Sequence, residues 1–120
     1  MRIVNLTRGG LIASHARLAD SFWTRLRGWM GRLRVEADEA LVIYPCRAVH
    51  TCFMFIAIDV LFINQNEEVV YIMEGLPPFR LSPLIKDACT VVELPADTVR
   101  RCGVRVGDRL EFTGGIFRNN

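Results

Sequence analysis

The chain is defined first by what it lacks. No run approaches the roughly 20 unbroken apolar residues of a membrane-spanning helix. The start, Met1-Arg2-Ile3-Val4-Asn5-Leu6-Thr7-Arg8, has no long apolar stretch and carries Arg8 where a signal peptide would have one, which leads us to expect a cytoplasmic protein. No Walker loop, GxGxxG, GxSxG or HExxH occurs, so the commonest nucleotide and hydrolase fingerprints are missing. The four cysteines, Cys46, Cys52, Cys89 and Cys102, form no CxxC pair and no regular spacing. In a reducing compartment they read as free thiols, two or three of them buried as small hydrophobes, with disulfides left open by their even number. No repeat, low-complexity run or Ser/Gly linker divides the sequence, which reads as one β-rich domain over residues 1–113 with a frayed tail over 114–120. Excess charge is also lacking: a net charge of +2 over 120 residues implies no polyanionic partner.

What is present is an ordinary globular composition, 51% hydrophobic and 23% charged. Arg25, Arg27, Arg32 and Arg34 do cluster beside Trp23 and Trp29, a mixture that can mark nucleic-acid contact. No matching basic face accompanies them, so the sequence argues against a nucleic-acid partner, and it predicts no membrane association.

Strand signals dominate. Arg2 to Thr7 alternates weakly, while Leu11 to Ala19 suits either a strand or a helix. Asp20 or Ser21 is a fitting N-cap for a short helix through Trp23, Leu26 and Arg27, stopped by Gly28 or Gly31. Leu41-Val42-Ile43-Tyr44 is a continuous apolar run ended by Pro45. Val49 to Phe55 and Ile58 to Ile63 have strand composition, and the polar turn Asn64-Gln65-Asn66-Glu67 joins the latter to Glu68–Met73 as a hairpin. Leu76-Pro77-Pro78-Phe79-Arg80 is a stiff loop, since two prolines remove two ladder donors. Thr90 to Leu94 is a strand, Ala96 to Arg101 a helical turn ended by Gly103, and Arg109 to Thr113 a last strand after the Gly107-Asp108 turn. Six to eight short strands and one or two short helices, without regular helical crossovers, predict a mostly β fold: a compact antiparallel sandwich or partly open barrel.

The densest reactive cluster is Val49-His50-Thr51-Cys52-Phe53-Met54. As a strand it shows His50, Cys52 and Met54 on one face, with alternate residues about 7 Å apart at Cα. Imidazole, thiolate and thioether together suit copper or zinc, which makes a soft-metal protein one reading. No zinc-type spacing is present, however, and no cofactor is predicted. Asp59, inside the apolar run Phe55 to Phe62, needs a donor or water. Paired with His50 it would give an acid–base enzyme in which Asp59 orients the imidazole. Arg80, held beside the Pro-Pro pair, is the best candidate for anion binding. Glu93, in Val91-Val92-Glu93-Leu94, reads as a solvent-facing position on a sheet. The leading expectation is a binding module for a small anionic or polar ligand, or for a protein partner. His50, Asp59 and Arg80 are its core, with Thr51 and Met54 beside them.

Several segments, taken in order, resemble a known family. They are Phe22-Trp23-Thr24-Arg25-Leu26-Arg27-Gly28-Trp29-Met30-Gly31, Pro45-Cys46, Val49-His50-Thr51-Cys52-Phe53-Met54, Ile58-Asp59-Val60-Leu61-Phe62, Leu76-Pro77-Pro78-Phe79-Arg80, Val91-Val92-Glu93-Leu94-Pro95-Ala96 and Gly107-Asp108-Arg109-Leu110. Across about residues 20 to 112 the chain is similar to the small prokaryotic proteins catalogued as domain of unknown function 192. The resemblance implies a sandwich of jelly-roll type and no established activity, substrate or cofactor. Relatives often carry a basic residue and a proline where this chain has Phe55 and Ala57, and an aromatic at the place of Cys52. That departure shifts weight from Cys52 toward His50 and Asp59.

Overall fold

A computed structural model of the chain describes residues 1–114, so the expected tail lies outside the described residues from position 115 onward. Eight strands and two short helices follow in the order β1 (Arg2–Asn5), β2 (Leu11–Ala13), β3 (His15–Ala19), α1 (Phe22–Arg27), β4 (Glu39–Ile43), β5 (Ile58–Ile63), β6 (Val69–Leu76), β7 (Thr90–Pro95), α2 (Thr98–Cys102) and β8 (Leu110–Thr113). They form a three-stranded sheet, β2-β1-β8, and a five-stranded sheet, β3-β4-β7-β5-β6. The mostly β reading therefore holds, with two sheets and no closed barrel among the described residues. No helix among the described residues is long and apolar enough to cross a membrane.

The five-stranded sheet is buried on both faces, which is why its central strands are apolar without alternation. All six residues of β5 are buried, as are the first five of β7. Alternate residues go to different cores. Val42, Leu61, Ile63, Val92 and Leu94 meet Ile3, Ile12 and Leu110 of the small sheet. Leu41, Ile43, Val60, Phe62 and Val91 face the other way, onto Trp29, Val49, Met54 and Ala88. That second layer is made of connecting segments.

One pairing departs from the all-antiparallel expectation: β3 and β4 run parallel, from His15 opposite Glu39 to Ala19 opposite Ile43. A parallel pair cannot be joined by a tight turn. The chain must leave β3, cross the sheet and return, and α1 with the 28–38 segment is that crossover. The ambiguous stretch 11–19 resolves into two strands broken at Ser14, one in each sheet.

The strand expected over Val49–Phe55 does not form. His50 makes an isolated bridge to Leu81, and a turn follows at Cys52 and Phe53, where Phe53 has φ of 62°. Its amides find other acceptors: Thr51 N–H donates to Arg80 O at 2.8 Å, and Met54 N–H to Thr51 O at 3.2 Å. Strand composition is a statement about half-buried surfaces, and here a half-buried loop supplies them, with Val49, Thr51 and Met54 buried and Phe53 and Phe55 exposed.

Candidate functional site

Helix α1 opens with a capping box in which Ser21 Oγ accepts the Thr24 amide and Thr24 Oγ1 accepts the Ser21 amide. No residue of this helix is buried. It spans the surface as a bridge, and beneath it lies a pocket of about 410 Å³. Phe22, Leu26, Pro45, Ala48, Val49 and Leu81 give the pocket an apolar wall, and Arg25, Cys46, His50 and Glu93 are its ionisable members.

Glu93 corrects the sequence reading most directly. Expected to face solvent, it is 1% exposed. Alternation turns Glu93 away from Val92 and Leu94, but that second face is roofed by the crossover and the 45–54 loop rather than by water. Its two strand neighbours, Leu41 and Val60, carry no charge. Burial pushes the Glu93 carboxyl up to about 8, against a smaller opposing effect from hydrogen bonding to the Trp29 backbone. It is therefore a neutral acid near pH 7. Its Oε1 has no hydrogen-bond partner among the described residues.

The chain beside the carboxyl is built for close approach. Gly28 ends α1 with φ 49° and ψ −129°, and its amide donates to Thr24 O. A Cβ at this position would lie 3.3 Å from both Glu93 carboxyl oxygens. Only glycine meets the backbone demand and the spatial one together.

The other polar groups are held in place. Arg25 Nη1–H donates to Pro45 O at 2.9 Å and Nε–H to Ser21 O at 3.3 Å. Cys46 Sγ donates to Ala48 O at 3.0 Å, and burial raises its thiol above the ordinary range, with a further rise from Glu93. His50 is fixed at both ring nitrogens. Nδ1 accepts the Cys52 amide at 3.1 Å, which leaves the ring proton on Nε2 to be donated to Leu26 O at 2.9 Å. His50 thus ties the last turn of α1 to the loop and forms part of the pocket wall.

The remaining predicted site residues lie elsewhere. Asp59 is fully buried, and its Oδ1 and Oδ2 accept the amides of Gly75 and Val99, each at 2.9 Å. Being odd-numbered on β5, it shares a face with Leu61 and Ile63, opposite the face that carries Val49 and Met54. The sheet separates Asp59 from His50, so an Asp59-oriented imidazole is not formed. Val99 is in the first turn of α2, whose N-cap Asp97 makes no side-chain cap bond. Asp59 supplies that acceptor from across the core.

Thr51 is also fully buried. Its hydroxyl donates to Pro77 O at 2.6 Å and accepts the Arg80 amide at 2.8 Å, while its carbonyl accepts the Phe79 amide at 2.9 Å. This clamps the Pro-Pro loop, and it leaves the Arg80 side chain outside the pocket wall, exposed. Met54 is 1% exposed within the core beside Trp29. His50, Cys52 and Met54 accordingly present no common face, since the segment is a turn. Thr51→Val is expected to lower stability by about 1–2 kcal/mol. Urea denaturation measures that loss, and faster hydrogen exchange at the Arg80 amide locates it; an unchanged exchange rate would count against the clamp.

Sequence reasoning passed over Glu93 and Gly28 as site residues. The signal that could have found Glu93 was an ionisable residue in a run with no polar alternation, bounded by Pro95, which is the pattern of a strand covered on both faces.

Comparison with known proteins agrees with the fold. The family DUF192, described as "Uncharacterized ACR", matches residues 4–112. A UPF0127 protein of Pyrococcus furiosus is 36% identical over 115 residues, covering 92% of this chain and 97% of that protein. A UPF0127 protein of Thermococcus kodakarensis is 31% identical over 117 residues, covering 92% of this chain and 73% of its own length. Among solved structures, a protein of unknown function from Novosphingobium aromaticivorans superposes with a TM-score of 0.79 at 19% identity, covering 93% of this chain and 84% of that one. A candidate transcription regulator from Sinorhizobium meliloti gives 0.76 at 27% identity, covering 92% and 89%. The chain belongs to the DUF192 family.

Proposed function

We propose that this protein is a binding module for a small molecule, and that its site is the pocket beneath α1. The observation that carries this reading is Glu93: a fully buried, neutral carboxyl with one oxygen unpartnered, lining a pocket of about 410 Å³. Buried polar groups without partners are costly and uncommon in native folds, so one on a residue that lines a cavity has a reason to meet a ligand. His50 is kept from the expected set as a wall and positioning residue, and Arg25 and Gly28 join it. Asp59, Thr51 and Met54 belong to the scaffold that holds the loops. The cysteines have no CxxC pair and no regular spacing, which supports a reducing, cytoplasmic setting.

The test is a fragment screen read by amide chemical shifts. Ligands that move the Leu26, Val49 and Ser82 amides support the reading, provided that Ala48→Phe, which fills the pocket from its wall, abolishes the effect. Fragments that leave these amides still, or that act equally on Ala48→Phe, would remove the pocket as the site.

A further inference from the structure

Of the arginines clustered in sequence around α1, the pocket beneath the helix takes only Arg25. Arg34 is paired with Glu36 at 2.8 Å. Arg27 and Arg32 line a second cavity, of about 390 Å³, and Arg17 joins them there from β3. Gly28 is the residue that the two cavities share.

Register explains why these three arginines meet. β3 is an edge strand of the five-stranded sheet, and its Arg17 lies opposite Leu41 of β4. Alternation puts Arg17, Ala19, Glu39 and Leu41 on the face that the crossover roofs, where Ala19 and Leu41 pack with Trp29. The crossover then brings Arg27 from the last turn of α1 and Arg32 from the segment that follows it.

The charges around this cavity do not balance. Its lining carries three guanidiniums and one carboxylate, Glu39. That carboxylate is already engaged: Arg32 Nη2–H donates to both of its oxygens at 3.1 Å, and the Glu36 amide donates to Oε2 at 2.8 Å. Arg17 and Arg27 are exposed, and neither side chain has a hydrogen bond or an ion pair among the described residues. Like charges gathered around one hollow repel, and a bound anion removes that cost. The surplus of two positive charges in the lining matches a dianion. Guanidinium forks suit the oxygens of a phosphoryl group, and half-buried Leu18 and Met30 offer apolar wall to a carbon body. A nucleic-acid strand fits less well, because Trp29 is 1% exposed and has no free face on which a base could stack.

We propose that this cavity is a second binding site, for a small organic phosphate monoester whose phosphoryl group is held by Arg17, Arg27 and Arg32. It is separate from the pocket beneath α1 and stands or falls independently of the reading given to that pocket.

The test titrates phenyl phosphate, benzenesulfonate and phenol against the intact chain by amide shifts, above the second phosphate pKa of about 6. Phenyl phosphate is expected to move the Leu18, Met30 and Leu41 amides. It should bind roughly tenfold more tightly than the singly charged sulfonate, with phenol weakest. Arg17→Gln and Arg27→Gln should each weaken it by about tenfold, whereas Arg34→Gln, outside the cavity, should leave it unchanged. Neither Arg17 nor Arg27 has a partner to lose, so both variants should melt as the wild type does. Equal binding of phosphate and sulfonate would overturn the dianion assignment. An equal loss in Arg34→Gln would reduce the site to diffuse attraction by a basic surface. Tighter binding of a single-stranded oligonucleotide, with shifts spreading to Trp23, would overturn the proposal in favour of nucleic acid. Unmoved cavity amides would end it, while shifts at Leu26, Val49 and Ser82 report on the other pocket separately.

Discussion

Raising the pH from about 4.5 to about 8 is expected to remove on the order of 5 kcal/mol of the stability that Glu93 contributes. The sign follows from proton binding. In the unfolded chain Glu93 titrates near its ordinary 4.5, whereas in the folded chain it holds its proton up to about 8. Between those values the folded state binds one proton more, so stability falls as pH rises, by about 1.4 kcal/mol for each unit. The contribution is fully present below pH 4.5 and is lost by the time the pH has passed about 8, beyond which the curve levels. Other carboxyls move oppositely. Asp108, hydrogen-bonded by Asn5 and by the Arg105 amide and paired with Arg8, lies below its ordinary range, so its contribution is lost only as the pH becomes strongly acidic. Glu93→Gln isolates the glutamate. Urea denaturation of both proteins across this range should show the variant gaining on the wild type as pH rises, with the difference levelling above about 8. A difference that stays constant with pH would mean that Glu93 is ionised in the folded protein.

Asp59→Ala should cost about 3–5 kcal/mol, and thermal unfolding should begin roughly 10–20 °C lower. Two amides lose their acceptor at once: Gly75 at the end of β6 and Val99 in the first turn of α2. The Val99 amide is buried with no solvent to replace the bond, and a cavity opens beside Leu61 and Leu94. Asp59→Asn, whose side-chain amide keeps one acceptor oxygen, should lose about half as much. Hydrogen exchange at Val99 and through α2 should rise in both variants. A marginal loss in Asp59→Ala would show that another group caps the helix. The prediction also separates scaffold from site, because Asp59 lies on the opposite face of the sheet and its loss should leave ligand binding by the surviving folded protein intact.

The strands were largely legible in the sequence. The β5–β6 hairpin follows from Asn64-Gln65-Asn66-Glu67 set between two apolar runs, where Asn64 Oδ1 accepts the amides of Asn66 and Glu68. The α1 cap was legible too, because Ser21 and the glycine after Arg27 are local signals. The Val49–Phe55 segment misled because residues such as Val49, Thr51 and Met54 suit any covered backbone, whether ladder or loop, while Phe53 and Phe55 are exposed. Its partner is the Pro-Pro loop some thirty residues away, as the Thr51–Arg80 hydrogen bonds show.

The sequence by itself determined a mostly β chain, the positions of its turns, the need of Asp59 for a donor or water, and the family. Those properties rest on local pattern: periodicity, caps, breakers, and a carboxylate stranded among apolar neighbours. Only the tertiary structure decided which residues share a site. Asp59 and His50 are nine positions apart in sequence, yet the five-stranded sheet lies between them. Gly28 and Glu93 are far apart in sequence, yet the parallel β3–β4 pairing forces a crossover that brings one against the other. The period of a strand says that alternate residues face apart, but it does not say what covers each face. Here a crossover and a loop cover the second face, and that turned Glu93 from an expected surface charge into a protonated acid at the floor of a pocket.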